Sequence, residues 1–133
     1  MKTGSAMKFA KIVFWAASIW GVVILAPLFF IFDKIGQQDP PPVTHPGFYY
    51  GFATVALAFQ VVFMVIAIDP VRFRTMMIPA ALEKFTYALT IATLYLQKRI
   101  HAEDLVFAGI DFVLGLLFVT AFFKTPVAFL NRL

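Results

Sequence analysis

Four stretches of the chain are apolar on nearly every face rather than along one stripe: about Phe9 to Phe32, Phe48 to Ile68, Met76 to Leu96 and Leu105 to Phe123. At 1.5 Å per residue each is long enough to cross the ~30 Å hydrocarbon core of a bilayer. A soluble helical domain of this size would turn a polar face to water on each helix, and these segments have none. The pattern predicts an all-α protein: an integral membrane four-helix antiparallel bundle, a single domain over residues 1–133.

Polar positions inside the spans are few, and most are gathered on the third. Glu83, Thr86, Tyr87, Thr90, Thr93 and Gln97 recur at three- and four-residue spacing, so they fall toward one side of a helix. A carboxyl group is costly within the membrane unless it faces protein or water, which makes Glu83 the leading functional candidate. By helical rise Glu83 lies roughly 4 to 5 Å to the inner side of its span's midpoint, and Gln60 on the second span falls at a comparable depth. Two readings follow: a ligand- or proton-binding carboxyl, or a structural clamp in which Glu83 bonds Gln60, Tyr87 or Lys84. Lys84 lies about 100° around the helix from Glu83 and is expected to snorkel toward the inner headgroups. A salt bridge to Asp111 on the fourth span is the sharper alternative, although Asp111 sits beyond its own midpoint, roughly 9 Å in axial depth from Glu83. The narrow zone from Glu83 to Thr90 is expected to face the bundle interior. The candidate ligand- or proton-binding set is therefore Glu83, Tyr87, Thr90, Gln60 and Asp111.

Between spans of this kind, small residues and polar bridges mark the packed faces, because moving apolar side chains from lipid to protein gains little. Ala17 and Gly21 supply such a face on the first span, Ala53, Ala56, Gln60 and Ala67 on the second, and Ala108, Asp111 and Gly115 on the fourth. Tyr49, Tyr50 and Tyr95 fall where interfacial aromatic anchors belong.

Composition sharpens this picture. The chain is 62% hydrophobic and only 14% charged, with 17 Phe in 133 residues, proportions that exclude an ordinary soluble domain. A net charge of +4 would raise nucleic acid as a partner in a soluble protein. Here the basic residues lie mostly at span ends, so no nucleic-acid partner is expected. Cysteine is absent, which removes disulfides, thiolate metal sites and thiol redox chemistry. Lys2, Lys8, Lys11, Arg72, Arg74, Lys124 and Arg132 fall on one side of the four spans and Lys34, Lys98 and Arg99 on the other. Translocation of basic residues is disfavoured, so both termini are expected in the cytoplasm. The first apolar run is too long for a signal-peptide core and is expected to be retained as a span.

The connections are short except Asp33 to Gly47, stiffened by Pro40, Pro41 and Pro42. Asp69-Pro70 reads as a helix start, with Arg72 and Arg74 facing headgroups, and Pro79 and Pro27 as points where a helix bends. Asp39, His45, His101, Glu103 and Asp104 on the outer loops have metal-ligand chemistry but no metal-binding spacing, and no metal site or cofactor is expected. Haem ligation inside the membrane has no histidine to serve it. Nucleophile elbows and phosphate-binding glycine loops are lacking as well.

Pro46-Gly47-Phe48-Tyr49-Tyr50-Gly51-Phe52, Asp69-Pro70-Val71-Arg72-Phe73-Arg74 and Glu83-Lys84-Phe85 resemble small bacterial four-span integral membrane proteins of unknown function. The likeness covers roughly residues 46 to 124, and it implies a bacterial cytoplasmic (inner) membrane location but no chemistry. In size and span number the chain is also similar to DoxX-type proteins. Small multidrug transporters share four spans, but their essential glutamate lies in the first span, and no carboxylate precedes Asp33 here. Sterol-isomerase-like four-span folds place acids around a lipophilic pocket, an analogy that Glu83 and Asp111 permit at the level of fold.

The function expected from the sequence is non-enzymatic binding of a lipophilic small molecule, or of a partner membrane subunit or second copy, through the intramembrane polar site. Surrounding membrane lipid is the other expected partner. A proton-coupled small transporter with Glu83 titrating is one alternative; a membrane enzyme acting on a quinone, sterol or isoprenoid, with Glu83 or Asp111 as acid or base, is another.

Overall fold

The computed structural model describes residues 2–127; Arg132, counted above on the inner side, lies outside the described residues. They form five α-helices and no strand: α1 (Lys2–Leu25), α2 (Phe32–Gln38), α3 (Pro46–Ile68), α4 (Met77–Leu96) and α5 (Asp104–Lys124). Three helical stretches, Gly4–Phe30, Pro46–Ile68 and Asp104–Lys124, are long and apolar enough to cross a membrane, as expected of a membrane protein. Helix α4 has 20 residues, but Glu83, Lys84 and its threonines leave it less apolar than the other three.

Prolines set several helix boundaries. Pro27 has no N–H to give the carbonyl four residues back, and α1 gives way at Leu25 to a 3-10 turn over Ala26–Phe30. Pro46 opens α3 in its first turn, where the amide would be free in any case. Pro79 occupies the same kind of position: α4 begins at Met77, so this proline falls in the first turn and removes no helical hydrogen bond. Asp69 caps the connection between α3 and α4, its Oδ1 accepting the Arg72 amide at 3.2 Å. Helix α4 ends in a Schellman arrangement in which the Arg99 amide donates to the Leu94 carbonyl and the Lys98 amide to that of Tyr95, both at 2.9 Å. Lys98 takes the left-handed conformation there, with φ of 60°.

The helices pair as α1 with α3 and α4 with α5. Contacts along α1 and α3 run in opposite chain order: Phe14 meets Phe63, Ser18 Oγ donates to the Gln60 carbonyl at 2.9 Å, and Tyr49 donates to the Leu28 carbonyl at 2.7 Å. Along α4 and α5 the order is again reversed. Arg74, just before α4, donates from Nε to the Phe122 and Thr125 carbonyls at 2.9 Å, while Lys84 reaches Asp111. Arg74 therefore caps the end of α5 rather than facing headgroups.

Phe14, Phe63 and Phe118, fully buried, join the two pairs; Phe14 and Phe118 stack at 4.2 Å between centroids and Phe63 meets Phe118 edge-on at 5.0 Å. Such contacts contribute about 0.5–1.5 kcal/mol each through packing, the term that matters where lipid is the alternative environment. The small residues expected on inner faces, among them Ala17, Ala53, Ala56, Ala67 and Ala108, are buried. Gly115 lets α5 approach α4 closely, since a Cβ there would lie 2.8 Å from the Phe85 ring.

Candidate functional site

Between the two helix pairs, on the side where α2 crosses, lies a cavity of about 350 Å³. Trp20, Gly21, Ile24 and Leu25 of α1 form one wall, with Leu28, Ile31 and Ile35 closing the end nearest α2. Phe52, Ala56 and Gln60 of α3 form the second wall, and Glu83, Lys84, Tyr87, Phe107 and Asp111 of α4 and α5 the third. The lining is apolar except at one end, where Gln60, Glu83, Lys84 and Asp111 meet.

Lys84 is the centre of that polar end. It is 4% exposed, and its Nζ lies 3.2 Å from Asp111 Oδ1 and 3.7 Å from Glu83 Oε2. The ammonium also sits 5.2 Å from the centroid of the Phe63 ring. Lys84 thus does not snorkel to the headgroups. Its side chain crosses to α5, and the axial gap that made a bridge to Asp111 demanding is spanned by the four-carbon stem. The rotational reason is visible in the buried face of α4, formed by Met77, Ala80, Ala81, Lys84 and Ala88 at helical spacing.

The same geometry corrects the polar stripe. Thr90 is exposed and does not line the cavity, because it lies about 120° round the helix from Lys84 at roughly 100° per residue. Thr86 and Thr93, also exposed, return their hydroxyls to the Leu82 and Leu89 carbonyls at 2.8 Å, and Gln97 is exposed beyond the helix end. Glu83 and Tyr87 stand at the edge of the buried face and reach the cavity from there.

Gln60 is 2% exposed, and the clamp expected between it and Glu83 is not made. Its Nε2 donates instead to the Ala56 carbonyl at 2.8 Å, one turn back on its own helix. That bond fixes the amide orientation, since only the NH₂ end can donate to a carbonyl. The Gln60 Oε1 is left buried with no hydrogen-bond partner among the described residues, and so is Glu83 Oε2. Buried polar atoms in this condition are uncommon, and each costs about 1–3 kcal/mol.

Gly21 makes room for this arrangement. A Cβ at that position would collide with the Oε1 and Cδ of Gln60, so the glycine admits the carboxamide between α1 and α3. Spacing of small residues pointed to Gly21 as a packing position. Nothing local pointed to Trp20, Ile24, Leu28 or Ile35 as cavity walls, because any apolar residue in a span fits the same pattern.

On the outer loops His101 Nδ1 lies 2.7 Å from Asp39 Oδ1, joining the end of α2 to the α4–α5 connection. His45 packs edge-on against Phe48. Among the described residues no group of three or more His, Cys, Asp or Glu is placed to hold a metal ion.

Comparison with protein-family models, with curated proteins and with solved structures finds no match for this chain.

Proposed function

We propose that the chain is a four-span protein of the bacterial cytoplasmic membrane, an antiparallel bundle with both termini inside, that binds a lipophilic small molecule without transforming it. Support for the fourth span comes from α4 itself: at 20 residues it covers ~30 Å, it packs against α5 in reversed order, and it keeps its ammonium buried against protein. The orientation rests on Arg72, Arg74 and Lys124, which share one end of the molecule.

One observation carries the binding role: two buried oxygens, Gln60 Oε1 and Glu83 Oε2, lack hydrogen-bond partners and line an otherwise apolar cavity. A cavity of this size lies within the roughly 300–1,000 Å³ typical of small-molecule sites, which combine apolar walls with a few convergent polar groups. Native mass spectrometry of gently extracted protein tests the reading. A retained non-protein mass is expected on the wild type and absent from Ala56→Phe, which fills the cavity; equal retention by both would place any bound molecule elsewhere.

A second reading, a proton-coupled transporter, draws on the placement of Lys84 between two carboxyl groups on adjacent helices. In liposomes it requires proton flux that Glu83→Gln abolishes; the binding role requires none.

A further inference from the structure

The polar end of the cavity has a composition that selects the head group of its occupant, an inference that rests on the binding role proposed above. Glu83 and Asp111 bring two carboxyl groups, and Lys84 brings the one cationic side chain that lines the cavity. The ammonium lies 3.2 Å from Asp111 and 3.7 Å from Glu83, so Asp111 takes the hydrogen bond and Glu83 Oε2 keeps only the longer ion-pair contact. Facing from α3, Gln60 has committed its donor to the Ala56 carbonyl and presents a carbonyl oxygen. No charged residue of α1 or α3 lines the cavity, and Tyr87 is the remaining titratable group there. The site therefore offers two free acceptors on different helices and is one positive charge short of balance.

A hydroxyl head donates one hydrogen bond and brings no charge. A quaternary ammonium brings charge and no N–H. A primary ammonium supplies both, with three donors on one atom. We propose that the cavity binds a lipophilic primary amine as its ammonium ion, donating to Gln60 Oε1 and Glu83 Oε2, with its alkyl body along Ile24, Leu28, Phe52 and Phe107. Burial strengthens such charge-assisted bonds relative to neutral ones.

Trp20 lines the cavity and is one of only two tryptophans, so Trp15→Phe, at an exposed position, leaves it as the sole reporter. Full-length Trp15→Phe protein in phosphatidylcholine nanodiscs at neutral pH is titrated with octylammonium, 1-octanol and octyltrimethylammonium, following Trp20 emission. Octylammonium is expected to give a saturable change at about ten-fold lower concentration than either other probe, the difference of one charge-assisted bond. Adding Glu83→Gln, which keeps an acceptor but removes the charge, is expected to erase that preference. Equal saturation by octanol, or by octyltrimethylammonium, overturns the ammonium assignment and leaves the cavity as a lipophile site. No saturation by any probe overturns it as well; the binding role then stands only if native mass spectrometry shows a cavity-dependent retained mass, and falls if it shows none.

Discussion

Lys84 Nζ of α4 lies 3.2 Å from Asp111 Oδ1 of α5, and this buried contact ties the two helices together at the floor of the cavity. Removing one partner of a buried pair leaves an uncompensated charge, typically a loss of about 3–5 kcal/mol. Lys84→Met is expected to lower stability by that order in a detergent or nanodisc unfolding assay, and the double variant Lys84→Met with Asp111→Leu to recover at least half of it. A single-variant cost below ~1 kcal/mol would place Lys84 outside the set of groups holding α4 to α5.

The two close-approach glycines should respond differently to the same substitution. At Gly115 an added Cβ meets the edge of the Phe85 ring, which is rigid and held between α4 and α5, so Gly115→Ala is expected to cost about 1–3 kcal/mol by overpacking. At Gly21 the Cβ meets the end of the Gln60 side chain, which can swing away. Gly21→Ala is expected to cost only about 1 kcal/mol, the bond from Gln60 to Ala56, while displacing the carboxamide from the cavity. Thermal unfolding checks the order of the two costs, and the Trp20 titration checks the loss of binding in Gly21→Ala.

Lys98 holds the left-handed position of the cap that ends α4. A side chain in this conformation costs roughly 1–2 kcal/mol that glycine avoids. Lys98→Gly is expected to stabilise the protein by about 1 kcal/mol in the same unfolding assay, less the greater freedom glycine has in the unfolded chain. Destabilisation instead would mean that the Lys98 side chain makes a contact worth more than the backbone strain.

The absence of native cysteine makes topology directly measurable. In intact cells Gln38→Cys and Glu103→Cys are expected to react with a membrane-impermeant maleimide, and Arg72→Cys only after permeabilisation. Labelling of Arg72→Cys and Glu103→Cys from the same side would remove α4 as a span.

The apolar spans were legible because a helix in lipid has to be apolar on most faces, and the small-residue faces because close backbone approach needs them. The site was legible in part. Glu83, Gln60 and Asp111 stood out as polar groups at depths where polarity is costly, and they line one cavity with Tyr87. Lys84 was misplaced because the length of its stem permits two endpoints, headgroup or neighbouring helix, and only the rotation of α4 against α5 decides between them. Thr90 was misplaced for the same reason: a three- and four-residue spacing gives a face but not what that face meets. Threonines can also satisfy their hydroxyls on their own helix, as Thr86 and Thr93 do, and need no polar neighbour.

The most direct test of the cavity as a binding site is photolabelling with an alkyl diazirine, mapped by peptide mass spectrometry. The account predicts saturable labelling at Ile24, Leu28 and Phe107, suppressed by excess octylammonium and absent in Ala56→Phe. Labelling confined to the exposed apolar positions Leu82, Leu89 and Val113, unchanged by competitor, would contradict it.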